Sequence, residues 1–181
     1  MSSDNKLPWI LAGYDLFANH GPDGLKVEVI ARRVNKSKSS FYHYFADLEI
    51  FTDVLLTYHL ERAGSIAQQE KQCQQVDPDL LNLLISVKQD LLFNRQLRVH
   101  RNNAAFKKCL GKTTRLVSEA IIGIWAAELG LANNSSLAQL VLNMSIENFY
   151  LQLTTETLTY PWLAQYIQGL KIMVSALQKP I

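Results

Sequence analysis

The chain has 181 residues, 48% hydrophobic and 19% charged, which is enough apolar chain for one domain, or a small domain joined to a larger one, and too apolar for a disordered polymer. A net charge of +2 excludes a uniformly polybasic nucleic-acid binder. The two cysteines form neither a disulfide framework nor a metal-site spacing, and no run of about 18 apolar residues offers a membrane span.

Eight glycines and five prolines, most of the prolines where a helix can begin, point to an all-α protein. Leu7, Ile10, Leu11, Tyr14 and Phe17 recur at helical spacing, so residues 7–19 read as an amphipathic helix stopped by His20-Gly21-Pro22. A short helix over 27–34 buries Val27, Ile30, Ala31 and Val34. Asn35 suits a left-handed turn position, and Ser37 is a natural cap for a helix over 38–44. Asp47 caps a longer helix running to about residue 72, with Ile50, Phe51, Val54, Leu55 and Tyr58 on one face. Asp77-Pro78 predicts the start of a helix reaching about Phe93. Residues 95–110 read as a basic helix, 113–129 as an apolar one ended by Gly130, 135–153 as a long helix, and 160–178 as the last. The expected total is about nine helices, with no β-alternation, repeat or low-complexity linker.

Charge is zoned. Residues 26–45 hold five basic side chains (Lys26, Arg32, Arg33, Lys36, Lys38) and one acid, Glu28; residues 95–115 hold seven basic side chains and no acid. Residues 47–61 hold four acids and no Lys or Arg. Three short helices at tight turns, the third basic at its start and aromatic at its end, are what a helix-turn-helix needs. The third helix enters the major groove by its N-terminus and presents its early side chains to base edges.

The segment Ile30-Ala31-Arg32-Arg33-Val34-Asn35-Lys36-Ser37-Lys38-Ser39-Ser40-Phe41-Tyr42-His43-Tyr44-Phe45, followed by Ala46-Asp47-Leu48-Glu49, resembles the N-terminal part of the tetracycline-repressor (TetR) family. That family has an Ile-Ala pair, a Gly-Val-Ser turn and a recognition helix ending in Leu-Tyr-x-x-Phe. The resemblance covers about residues 7–60. Asn35 stands for the usual turn glycine, Lys36 for valine, Lys26 for a capping threonine, and Leu48 for a phosphate-touching lysine. The resemblance implies a helix-turn-helix domain over 1–47, linked by a helix over 48–72 to a helical regulatory, ligand-binding and dimerisation domain within 48–181. It implies a transcriptional regulator, a repressor released by a small-molecule effector, acting as a cytoplasmic homodimer on an inverted repeat in double-stranded DNA. Lys38, Ser39 and Ser40 align with base-reading and groove-facing positions, and Tyr42 with a phosphate-contacting tyrosine. His43 and Tyr44 are expected to reach backbone or bases, and Lys26 and Lys36 to reach phosphate. Val27 and Ser37, at the starts of their helices, complete the expected interface. Phe41 and Phe45 are expected in the core.

By the same resemblance, the last two helices form a four-helix bundle with their mates through Leu137, Leu140, Met144, Leu151, Trp162, Leu170, Met173 and Val174. A sensing pocket is expected among residues 77–157, with Phe93, His100, Phe106, Trp125, Asn148 and Tyr150 as candidate liners. The basic run over 95–115 can attract an anionic effector, face DNA, or form a solvated face. No metal, cofactor or membrane partner is expected. An enzyme is disfavoured: the four histidines and two cysteines are scattered, with no nucleophile elbow, phosphate loop or carboxylate dyad. The competing reading is a helical ligand-binding or interaction module with reduced or lost DNA binding.

Overall fold

A computed structural model describes residues 5–177 and is all-helical: among the described residues there are nine α-helices and no strand. They are α1 (Leu7–His20), α2 (Val27–Arg33), α3 (Lys38–Tyr44), α4 (Leu48–Glu70), α5 (Leu81–Ser86), α6 (Lys88–Val99), α7 (Ala104–Glu128), α8 (Ser135–Gln152) and α9 (Tyr160–Leu177). The chain divides into two compact units. The first takes residues up to Ala63 together with Gln89–Thr113; the second takes Gly64–Lys88 and the chain from Thr114 onward.

The core of the first unit is aromatic. Phe17, Phe41, Phe51 and Phe93 are fully buried, and Trp9, Tyr14 and Phe45 are nearly so. The ring of Phe41 meets those of Trp9, Phe45 and Phe51 edge-on or tilted, with centroids 5.1–5.7 Å apart. Burial of several such rings supplies most of what holds three short helices together, since a helix of seven residues is not stable alone. The stripe read from α1 needs correction: Leu7 and Leu11 are 41% and 48% exposed, whereas Trp9 and Leu16 are buried. The face is rotated because Gly13 lies against α4; a Cβ there would stand 2.4 Å from the Phe51 ring. Gly21, at φ 67°, ends α1, and its N–H donates to the Phe17 carbonyl.

A polar cluster is buried in the same unit. Asp90, 4% exposed, accepts hydrogen bonds from the Tyr14 hydroxyl at 2.8 Å and from Arg62 Nε and Nη2 at 2.8 and 2.6 Å. The Tyr14 proton is committed to Asp90, so His59 Nδ1, 2.6 Å from the same oxygen, donates to it. That chain of donors leaves Nε2 unprotonated, and Nε2 is the buried ring atom without a partner. Burial lowers the His59 pKa to about 4. Burial also holds the Tyr14 phenol far above its usual range, with Asp90 adding to the shift.

In the second unit α9 packs against α5, the Tyr166 hydroxyl on α9 donates to the Ser145 carbonyl on α8 at 2.8 Å, and Leu80, Leu81, Leu142, Leu153 and Leu163 are buried. Asn134 caps α8 by accepting from the N–H of Leu137 at 3.0 Å. Lys171 pairs with Glu128.

Two expected boundaries are corrected. The helix expected from Pro78 to Phe93 is broken at Val87, whose φ −105°, ψ 25° leave the helical region. Asp77 has the extended backbone (φ −111°, ψ 119°) expected ahead of a helix that starts at Pro78, and its carboxylate accepts from the Tyr160 hydroxyl. The helices expected over 95–110 and 113–129 divide elsewhere, because Asn103 caps α7 through the N–H groups of Ala105 and Phe106 at 2.9 and 3.2 Å. Gly111 then runs through the middle of α7 with nothing near its Cβ position.

Candidate nucleic-acid interface

The turn between α2 and α3 follows from two residues. Asn35 takes φ 53°, a left-handed conformation that asparagine tolerates better than most side chains. Ser37 then sits in extended backbone, and its Oγ accepts from the N–H of Ser40 at 3.2 Å. The N–H of Lys36 donates back to the Ala31 carbonyl at 2.9 Å, closing the turn. Phe41 (0% exposed) and Phe45 (1%) anchor the inner face of α3. With that face fixed, Lys38, Ser39, Tyr42 and His43 are exposed on the outer one. Asp47 opens α4 by accepting from the N–H of Ile50 at 2.8 Å.

The candidate residues fall into distinct places. Lys26 and Lys36 are exposed at the edges of the same surface. Ser37 and Ser40 are committed to each other and to the cap, with Oγ atoms 3.0 Å apart. Tyr44 is half-buried beside Trp9, at 6.4 Å between centroids. Val27 is a correction: at 6% exposure it belongs to the core, because the first turn of α2 points it inward with Ile30 and Ala31. Arg33 pairs with Asp15, and Leu48 is half-buried at the start of α4. Two features of this surface escape a linear reading. Lys6 lies 5.7 Å from the centroid of the Phe45 ring, and Lys38 Nζ donates to Glu28 Oε1 at 2.9 Å.

The expected pocket liners do not share one unit. Phe93, His100 and Phe106 belong to the first, and Trp125, Asn148 and Tyr150 to the second. Phe93 stacks on both Tyr14 and His59, each at 4.4 Å, and Phe106 meets Phe17 edge-on at 5.4 Å. His100 and Gln96 crowd Gly21. Trp125 is buried with its indole N–H unpartnered, and Tyr150 is buried on Phe149. Asn148 is exposed and lines a surface groove of about 420 Å³ with Gln152, Trp162, Tyr166, Leu170 and Met173. The basic run is not one solvated face: the turn before α7 divides it, and Arg98 is 7% exposed.

Of the bundle residues, Leu140, Met144, Leu151 and Met173 are 43–78% exposed, and Ile172, at 63%, joins them. Leu137, Trp162 and Leu170 are half-buried. Val174 is corrected to core, at 2% exposure.

Residues 10–49, which contain the whole α2–turn–α3 arrangement, match the family model described as bacterial regulatory proteins, tetR family. The matched segment is that family's N-terminal DNA-binding part. A solved structure from Mesorhizobium loti MAFF303099, assigned to the TetR-family transcriptional regulators, has the same fold with a TM-score of 0.54. It is 15% identical, over 98% of each chain. No curated protein gives a significant match. Among the described residues, no helix is long and apolar enough to cross a membrane, and no group of three or more His, Cys, Asp or Glu is arranged to hold a metal.

Proposed function

We propose that this chain is a homodimeric repressor of the TetR family that reads an inverted-repeat operator with α3 and is released by a small-molecule effector bound by its regulatory helices. The observation that carries the reading is the outer face of α3. Lys38, Ser39, Tyr42 and His43 stand exposed over a wholly buried Phe41–Phe45 anchor, within the segment that matches the family. A lysine amine and serine hydroxyls can donate to base edges, and a tyrosine hydroxyl to phosphate. Lys26 and Lys36 add positive charge at the margins.

Dimerisation is supported by the unpartnered apolar face of α8 and α9. Leu140, Met144 and Leu151 repeat at four and seven residues along α8, which keeps them on one side of the helix. Ile172, Met173 and the groove beside Trp162 continue the apolar character on α9. A second copy turned by a two-fold axis would cover these faces and set two recognition helices for half-sites about one helical turn apart. Effector release follows from linkage: a ligand that favours a spacing unsuited to DNA weakens DNA binding by the factor by which DNA weakens the ligand.

The reading is tested by fluorescence anisotropy of a labelled duplex over a salt series. Affinity that falls steeply and linearly on logarithmic axes, and that is weakened on every duplex by Tyr42→Phe, supports it. Salt-insensitive or absent binding by the folded dimer favours a helical ligand-binding module that no longer acts on DNA.

A further inference from the structure

Between residues 26 and 45 there is one acid, Glu28, among five basic side chains. A surface that approaches a polyanion gains from every cation and loses from every carboxylate. Glu28 nonetheless stands exposed in the first turn of α2, and its Oε1 accepts from Lys38 Nζ at 2.9 Å. The bond ties the first turn of α2 to the first residue of α3 across the turn that defines the motif. Both groups register it: the bond from Lys38 holds the Glu28 carboxyl below its ordinary range, and the same bond raises the Lys38 amine. The side chains are 59% and 64% exposed, so the pair adds little to stability. Its consequence lies in what Lys38 is left free to touch.

A lysine alone on a groove-facing surface does not discriminate, because any phosphate attracts it as well as a base edge does. A lysine held by a carboxylate is in a different position. The carboxylate offsets the charge that draws the amine to phosphate. The ammonium has further N–H donors besides the one given to Glu28, and these keep a fixed origin from which to reach guanine O6 and N7. We propose that Glu28 is a specificity-determining residue of the DNA interface: its ion pair with Lys38 holds that amine for a base edge and withholds it from sequence-independent phosphate binding. The inference rests on α3 being the recognition helix. Sequence-independent binding is almost wholly electrostatic, so the carboxylate penalises it more than it penalises operator binding.

The test uses the full chain with two labelled duplexes of equal length, one carrying the site selected by the wild type and one of scrambled sequence, at ~150 mM salt. Glu28→Gln keeps the size of the side chain and an acceptor oxygen, and thermal unfolding confirms that the variant is folded. It is expected to bind the scrambled duplex roughly three- to tenfold tighter, with a steeper salt dependence and a smaller gain on the selected site, so that the affinity ratio falls at least about threefold. In a Lys38→Ala background the same substitution leaves the ratio unchanged. An unchanged ratio in Glu28→Gln alone, or equal weakening on both duplexes, overturns the inference while leaving the recognition helix in place. A wild type that prefers no sequence overturns the recognition-helix reading and this inference with it.

Discussion

Removing the Asp90 carboxylate should destabilise the first unit through a specific set of bonds. Asp90 is 4% exposed and accepts one bond from Tyr14 and two from Arg62. Hydrogen bonds to a charged group contribute about 1.5–3 kcal/mol each, but Asp90→Ala also removes a buried charge. Breaking a buried pair costs about 3–5 kcal/mol. The Arg62 side chain is 42% exposed and can be rehydrated, which places Asp90→Ala near the lower end of that range, at about 3 kcal/mol. At roughly 2–4 °C per kcal/mol for a chain of this size, Tm should fall by ~6–12 °C, measured by far-UV circular dichroism. Tyr14→Phe leaves the His59 Nδ1–H without an acceptor and should cost about 1–3 kcal/mol. Both substitutions delete the same Tyr14–Asp90 bond, so the double variant should lose less than the sum by about 1 kcal/mol. Losses that add, or an Asp90→Ala Tm within ~2 °C of wild type, would refute the account of a coupled cluster.

Glu70 is 3% exposed with Oε2 unpartnered, and burial raises its pKa from 4.5 to about 7. A raised folded pKa contributes stability that is full below about 4.5 and lost as pH climbs through about 7, a loss on the order of 3 kcal/mol. Glu70→Gln should therefore raise Tm at about pH 8 and change it little below about pH 5; an equal gain at both would contradict the assignment. His59 runs in the opposite sense, its contribution being present above 6.5 and lost as pH falls to about 4. Gly13→Ala places a Cβ 2.4 Å from the buried Phe51 ring and should lower stability by about 1–3 kcal/mol in denaturant titration. Met144→Glu puts a charge on a residue 62% exposed in the single chain. It should leave the fold intact by circular dichroism and convert a dimer to monomer in sedimentation; a dimer that persists would move the interface elsewhere.

The local signals of the N-terminal motif were legible because each one is carried by neighbouring residues. Ser37 as a cap, Asn35 as a left-handed turn and the four-residue spacing of Phe41 and Phe45 mark α3 in the sequence, although packing on Trp9 and Phe51 is what holds it. The middle of the molecule was less legible. Val87 interrupts an apolar stripe without a Gly or Pro, and Asn103 starts a helix inside a run that reads as basic helix throughout. Gly111 looks like a boundary, yet it runs inside α7. Facing was less certain than helicity: Leu7 and Leu11 fit the period of α1, but the close approach at Gly13 decides which side is buried. The Tyr14–Asp90 contact spans 76 residues and the Glu28–Lys38 bond spans ten. Neither leaves a periodic trace, although the single acid in a basic stretch does mark Glu28 as a residue to explain.

The most direct test of the central reading is a selection of fragments of the source genome by the purified full chain at ~150 mM salt, with Lys38→Ala run in parallel. The account predicts enrichment of a short inverted repeat whose half-sites lie about one helical turn apart, with that preference relaxed in the variant. A folded dimer that enriches no sequence, or a Lys38→Ala protein that selects the same site as strongly, would contradict it.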